Sequence, residues 1–135
     1  MTSDNKISSL AKFYKTDKLE HGYTEIYEKY FKNLKDQKLK ILEIGIADGG
    51  SLLTWSDYFK NSTIVGIDIH KIDLKEKKLD RVNIDVHQGS QSDSKFIAKI
   101  INLYNNFDII IDDGSHLKKD VIKSFHLLFP HLNND

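Results

Sequence analysis

A chain of 135 residues, 39% hydrophobic and 30% charged, is the size of one domain and long enough to bury a core. Its 20 basic and 20 acidic residues cancel and it has no cysteine, which excludes a disulfide framework and a thiolate zinc site and gives no broad basic face for nucleic acid. Met1 to Phe13 lacks the apolar run of a secretory leader, and no stretch approaches the roughly 18–20 apolar residues of a membrane span, so the chain reads as soluble and cytoplasmic.

In chain order, the first strong pattern is Thr24 to Leu34, where Ile26, Tyr27, Tyr30 and Phe31 form an aromatic face of an amphipathic helix expected to cover a sheet or the mouth of a site. Strands are predicted at Leu39 to Ile44, Thr63 to Ile69, Val82 to His87 and Phe107 to Asp112. The runs ILEI and FDIII are nearly continuous in apolar residues, as in parallel strands buried on both faces. Helical patterns alternate with them. Leu52, Trp55 and Phe59 share a face after Ser51. Phe96, Ile97, Ile100, Ile101 and Tyr104 form a stripe after a cap at Ser92 or Asp93. Val121, Phe125 and Leu128 follow His116 until Pro130 stops the helix. The lysine-rich segment between Asp68 and Val82 has only a weak helical pattern. This alternation predicts right-handed βαβ units and an α/β fold with a doubly wound parallel sheet. Four strands are part of such a sheet, so the sequence reads as truncated after the fourth strand and its helix. The edge of that strand is then left for a partner or a further strand to cover.

Four strand-end segments offer chemistry. Glu43 to Ser51, EIGIADGGS, falls where the first strand turns into a helix, and its glycines permit a tight turn and close backbone approach. Ala47 occupies the second glycine position of the dinucleotide fingerprint, and this, with the Gly49-Gly50 pair, argues against a nicotinamide-dependent oxidoreductase. Glu43 is the residue a cofactor ammonium group would want. Asp68 lies 23 positions beyond Gly45, near the offset at which a carboxylate grips ribose hydroxyls, although it also reads as a cap for the next helix. Gln88 to Asp93 either recognises an adenine edge or caps a helix. Asp112, Asp113 and His116, at the end of the fourth strand, either place a hard-metal ligand beside a general base or form a helix-capping turn with an incidental histidine, and the position at a strand end favours the first. Lys15 to Lys18 and His21 to Tyr23 either line the site or cap the fold, and Trp55 reads as core. The 19 lysines and one arginine, Arg81, read as solvated faces.

The ordered segments TDKLEHGYTEIYEKYF, ILEIGIADGGSLLTW, IVGIDIHK, QGSQSD and IDDGSHLKKDVIKSFHLLFPHL run from Thr16 to Leu132. Together they resemble class I S-adenosylmethionine-dependent methyltransferases, and more narrowly the metal-dependent macrolide-sugar O-methyltransferases of the mycinamicin and demethylmacrocin type. The resemblance implies a helical cap over 1–36 and a Rossmann-like S-adenosylmethionine-binding domain over 37–135. It implies that Glu43 and Gly45 meet the methionine part of the cofactor, Asp68 its ribose, and Gln91 and Ser92 its adenine, with Gly49 and Asp112 also at the cofactor. Asp113 matches a magnesium ligand and His116 a general base; the sugar enzymes complete that metal site with an acidic pair at the end of the next strand. The implied activity is magnesium-assisted methylation of a hydroxyl on a sugar or glycosylated small molecule, with no nucleic-acid or membrane partner and a homo-oligomer left open. A non-catalytic nucleoside-binding or interaction module remains the alternative.

Overall fold

The isoleucine- and valine-rich runs form one parallel sheet. The computed structural model describes residues 6–16, 23–112 and 128–133, and these carry strands β1 (Lys40–Ile44), β2 (Thr63–Asp68), β3 (Ile84–Gln88) and β4 (Ile109–Asp112). Their order is β3-β2-β1-β4, so β1 is central, with β2 on one side and β4 on the other. A reversal of winding at β1 is the defining feature of the doubly wound α/β class, and it opens a crevice at the carboxyl ends of β1 and β4.

Side chains alternate across the sheet with a period of two. Ile41, Ile64, Ile84 and Ile111 face a layer made by α1 (Ile7–Phe13), α2 (Tyr23–Phe31) and α3 (Gly50–Tyr58). Leu42, Ile44, Val65 and Ile67 face the other way, onto Ile97 and Ile100 of α4 (Ser94–Tyr104) and onto Leu128. Helices thus cover both faces, which is why the central strands β1 and β2 are mostly apolar along their length. On the first face Tyr27, Phe31, Trp55 and Phe59 form an aromatic cluster, with ring centroids 5.2 Å apart for Tyr27–Trp55 and 5.5 Å for Phe31–Phe59. Each such pair contributes about 0.5–1.5 kcal/mol beyond its burial, so this cluster fixes α2 on α3. Glu28 adds a polar tie, accepting from the Ile7 amide of α1 at 2.9 Å and from the Tyr58 hydroxyl of α3 at 2.5 Å.

Several expectations need correction. The apolar face of α2 is narrower than predicted, because Ile26 and Tyr30 are 53% and 66% exposed while Tyr27 and Phe31 make the packing contacts. Val82 is fully exposed in a turn and β3 begins two residues later, at Ile84. The lysine-rich stretch forms turns, pinned by the buried Leu79. Phe107 precedes β4 and makes an isolated parallel bridge to Leu132, with the Asn133 amide donating to the Phe107 carbonyl at 2.8 Å. The outer edge of β4 is therefore met at its start. Most of the helix expected after His116 lies outside the described residues. Its end is a short 3-10 turn, Phe129–His131, with Pro130 in the first positions, where the missing amide hydrogen costs nothing.

Candidate functional site

The turn after β1 is built from alternating left-handed residues. Gly45 has φ 90°, Ala47 φ 50° and Gly49 φ 90°. Only glycine takes this conformation without strain, so Ala47 holds about 1 kcal/mol or more of it, and such residues concentrate at ligand sites. Ala47 thus adopts the shape of the glycine it replaces. The turn is tied to β2: the Gly45 amide donates to the Ile67 carbonyl and the Ile46 amide to Asp68 Oδ2, both at 2.8 Å. A Cβ on Gly49 would lie 3.1 Å from Leu79 Cδ1, and one on Gly50 only 2.8 Å from the Tyr14 carbonyl, so the turn and the start of α3 are packed from both sides.

Glu43 is wholly buried at the α3 face of β1. Its Oε2 accepts from Ser51 Oγ at 2.8 Å and from Trp55 Nε1 at 2.7 Å. Ser51 and Trp55 are four apart on α3 and so stack on one side of the helix. An ionised carboxylate in this interior is tolerable only with such donors. Its immediate role is to lock the start of α3 onto the end of β1.

Asp68 ends β2. Its Oδ2 takes the Ile46 amide, its Oδ1 takes the His70 amide at 2.8 Å, and its carbonyl accepts from Gly89 at 2.9 Å. One residue therefore joins the ends of β1, β2 and β3. Gly89 is necessarily small, since a Cβ would meet the Phe96 ring at 2.5 Å. The buried Gln91 donates from Nε2 to Asp112 at 3.2 and 3.4 Å for the two carboxylate oxygens, bridging the polar turn after β3 to the end of β4. The Ser90 and Ser92 hydroxyls are 3.0 Å apart, and Asp93 is the cap of α4, accepting from the Lys95 and Phe96 amides. Glu43, Gly45, Gly49, Asp68, Gln91, Ser92 and Asp112 thus gather along the carboxyl edge of the sheet.

Asp113 and His116 lie outside the described residues, and among the described residues no three metal-ligating side chains converge. Four side chains at or beside the turn were not read from the sequence as polar partners. Trp55 is core, as expected, yet its indole also serves Glu43. Arg81, Tyr14 and Asp57 form a cluster between α1, α3 and the connection after β2. Burial raises the Tyr14 phenol above its usual range, and the Asp57 carboxylate adds to the effect. The spacing of Trp55 four residues after Ser51 was a signal for the first; Arg81 carried none.

A doubly wound sheet with an acidic residue at the end of β2, a glycine turn after β1 and polar loops after β3 and β4 defines a domain of the nucleotide- and nucleoside-binding class. A family model for the FtsJ-like methyltransferases matches residues 18–134, and the chain belongs to that family. It is 36% identical over 135 aligned positions to the mycinamicin VI 2''-O-methyltransferase of Micromonospora griseorubida, covering 93% of this chain and 33% of that protein. It is also 36% identical over 120 positions to the demethylmacrocin O-methyltransferase of Streptomyces fradiae, covering 83% of this chain and 29% of that one. A solved structure of the MycE methyltransferase from the mycinamycin biosynthetic pathway, in complex with Mg, SAH and mycinamycin VI, superposes with a TM-score of 0.87 at 36% identity, over 95% of this chain and 36% of MycE. The chain spans about one third of the length of these relatives.

Proposed function

We propose that this chain carries the cofactor-binding part of an S-adenosylmethionine-dependent O-methyltransferase that acts on a hydroxyl of a sugar or glycosylated small molecule. The observation that carries the reading is Asp68. A carboxylate offers about four acceptor positions; the amides of Ile46 and His70 take one on each oxygen, and the half-exposed side chain keeps acceptor capacity for the two hydroxyls of a ribose. The donor set fits the group. The turn of Gly45 to Gly49 would hold the methionine end, Glu43 acting from beneath it through α3. The turn at Gln91 and Ser92 would flank adenine, and Asp112 would close the crevice from β4.

When bound, S-adenosylmethionine supplies an activated methyl group. Transfer is an in-line displacement, so the work of this chain is to hold two reactants in register and keep water from the space between them. His116 is the base proposed to take the acceptor's proton and Asp113 the ligand proposed for magnesium, which would acidify the acceptor hydroxyl. The likeness to sugar O-methyltransferases supports a small-molecule acceptor over nucleic acid or membrane. Residues 1–36 serve as the helical cap and 37–135 as the cofactor domain, in a cytoplasmic protein.

The test is calorimetric titration of S-adenosylhomocysteine into the chain and into Asp68→Ala and Asp68→Asn. Losing charged acceptors to two hydroxyls predicts an affinity loss of at least about tenfold for either variant. A folded wild-type chain that gives no saturable heat would overturn the reading.

A further inference from the structure

The one arginine of the chain is placed with unusual specificity. Arg81 Nη1 donates to Asp57 Oδ1 at 2.8 Å and to Ser56 Oγ at 3.2 Å, Nη2 donates to the Tyr14 hydroxyl at 3.0 Å, and that hydroxyl in turn donates to Asp57. The guanidinium carbon also lies 5.8 Å from the centre of the Tyr14 ring. A planar fork can satisfy these partners together, which a lysine ammonium cannot. What the cluster holds is the end of α1. There Lys15 takes φ 55°, turning the chain back so that the Thr16 amide donates to the Ala11 carbonyl and Thr16 is 5% exposed. This returning segment lies directly on the cofactor turn: the space a Cβ would fill at Gly50 is bounded by the Tyr14 carbonyl at 2.8 Å, Asp48 Oδ1 at 3.4 Å and Thr16 Cβ at 3.4 Å.

We propose that Arg81, Tyr14 and Asp57 act as positioning residues for the cofactor turn, holding residues 14–16 against the start of α3 so that docking of α1 and occupancy of the turn are thermodynamically coupled. The inference rests on the reading of Gly45 to Gly49 as the cofactor turn. Coupling is reciprocal: a ligand on the turn tightens α1, and a loosened α1 weakens the ligand. Gly50 is where the two meet. It begins a helix with ordinary backbone angles, where alanine is the better helix former, so Gly50→Ala perturbs the contact with Tyr14 and not the helix.

Amide hydrogen exchange on the full chain, with and without S-adenosylhomocysteine, tests this in the wild type, Tyr14→Phe, Arg81→Lys and Gly50→Ala. Tyr14→Phe and Arg81→Lys are expected to speed exchange by about tenfold both in residues 7–16 and at the amides of Gly45, Ile46, Gly49 and Gly50. Exchange across the β2–β3 pairing stays unchanged. Their affinity for S-adenosylhomocysteine is expected to fall three- to tenfold, and ligand on the wild type slows exchange in residues 7–16. Faster exchange confined to residues 7–16, with the turn and the affinity as in the wild type, overturns the proposal and leaves α1 as packing alone. If Gly50→Ala does not fold, Tyr14→Phe, which removes a single oxygen, decides. If the wild type binds no S-adenosylhomocysteine, the cofactor reading falls by itself, while exchange at the turn amides still decides whether α1 controls them.

Discussion

Replacing Trp55 by Phe keeps a ring in the core but removes the indole N–H that reaches Glu43 Oε2 at 2.7 Å. A hydrogen bond to a charged group is worth about 1.5–3 kcal/mol, and its loss leaves the buried carboxylate with fewer donors. The smaller ring adds about 1 kcal/mol for lost volume. Trp55→Phe should therefore cost about 2.5–4 kcal/mol, a large part of the 5–15 kcal/mol stability of a typical domain. The same substitution in a Glu43→Gln background should cost about 1–1.5 kcal/mol less, because the hydrogen bond then lost is to a neutral acceptor, worth about 0.5–1.5 kcal/mol. Urea unfolding of the four proteins gives the cycle, read from midpoints at constant slope. Equal costs of Trp55→Phe in the two backgrounds, within about 0.5 kcal/mol, would falsify the coupling and reduce Trp55 to a packing residue.

Ala47→Gly relieves the left-handed strain of the turn and is expected to raise stability by about 0.5–1 kcal/mol, seen as a higher urea midpoint; a lower midpoint refutes the strain argument. Gly66→Ala places a Cβ 2.7 Å from Leu52 Cδ1 in the centre of the sheet and should cost about 1–3 kcal/mol by the same measurement. His87 contacts the Tyr104 hydroxyl at 2.7 Å, and burial lowers its pKa, with Lys99 assisting and Asp85 opposing. Below the unfolded value of about 6.5 the unfolded chain takes up the proton first. The stabilisation is thus complete above that pH and is lost as pH falls through the folded value. His87→Gln should flatten the fall in stability between pH 7.5 and 5, and an unaltered slope counts against it.

The sheet was legible because burial on both faces writes strands as isoleucine-rich runs, and the strand ends followed from where those runs meet glycine or acid. The failures have local causes. Val82 is apolar but sits in a turn before β3, and a β-branched residue alone does not mark a strand end. Ile26 and Tyr30 continue the stripe of α2 beyond the width that α3 can cover. Ala47 was legible as a departure from the glycine fingerprint, but its backbone angle was not, since that is imposed by the anchoring of Gly45 and Ile46 on β2. The acids at the ends of β1 and β2 were found by position. Their donors were not, because Trp55 reads as apolar, the Ile46 and His70 amides carry no sequence mark, and the partners of Arg81 come from segments 24 and 67 positions away. Asp113 and His116 lie outside the described residues, so the proposed base and metal ligand rest on pattern.

The central place of β1 has a consequence for how the molecule assembles. Its register partners in β2 are 23 positions away, and those in β4 are 68 away. Threefold longer loop closure costs about 1 kcal/mol more in chain entropy, and distant pairings slow folding. The unit of β1, α3 and β2 should therefore form first, leaving the other edge of β1 bare until β4 arrives. Glu43 and Asp68 would be in place before Asp112 is, and the crevice would exist as a half-site during that interval. A nascent chain would meet chaperones with that strand edge uncovered, so its vulnerable moment falls between the synthesis of β2 and that of β4.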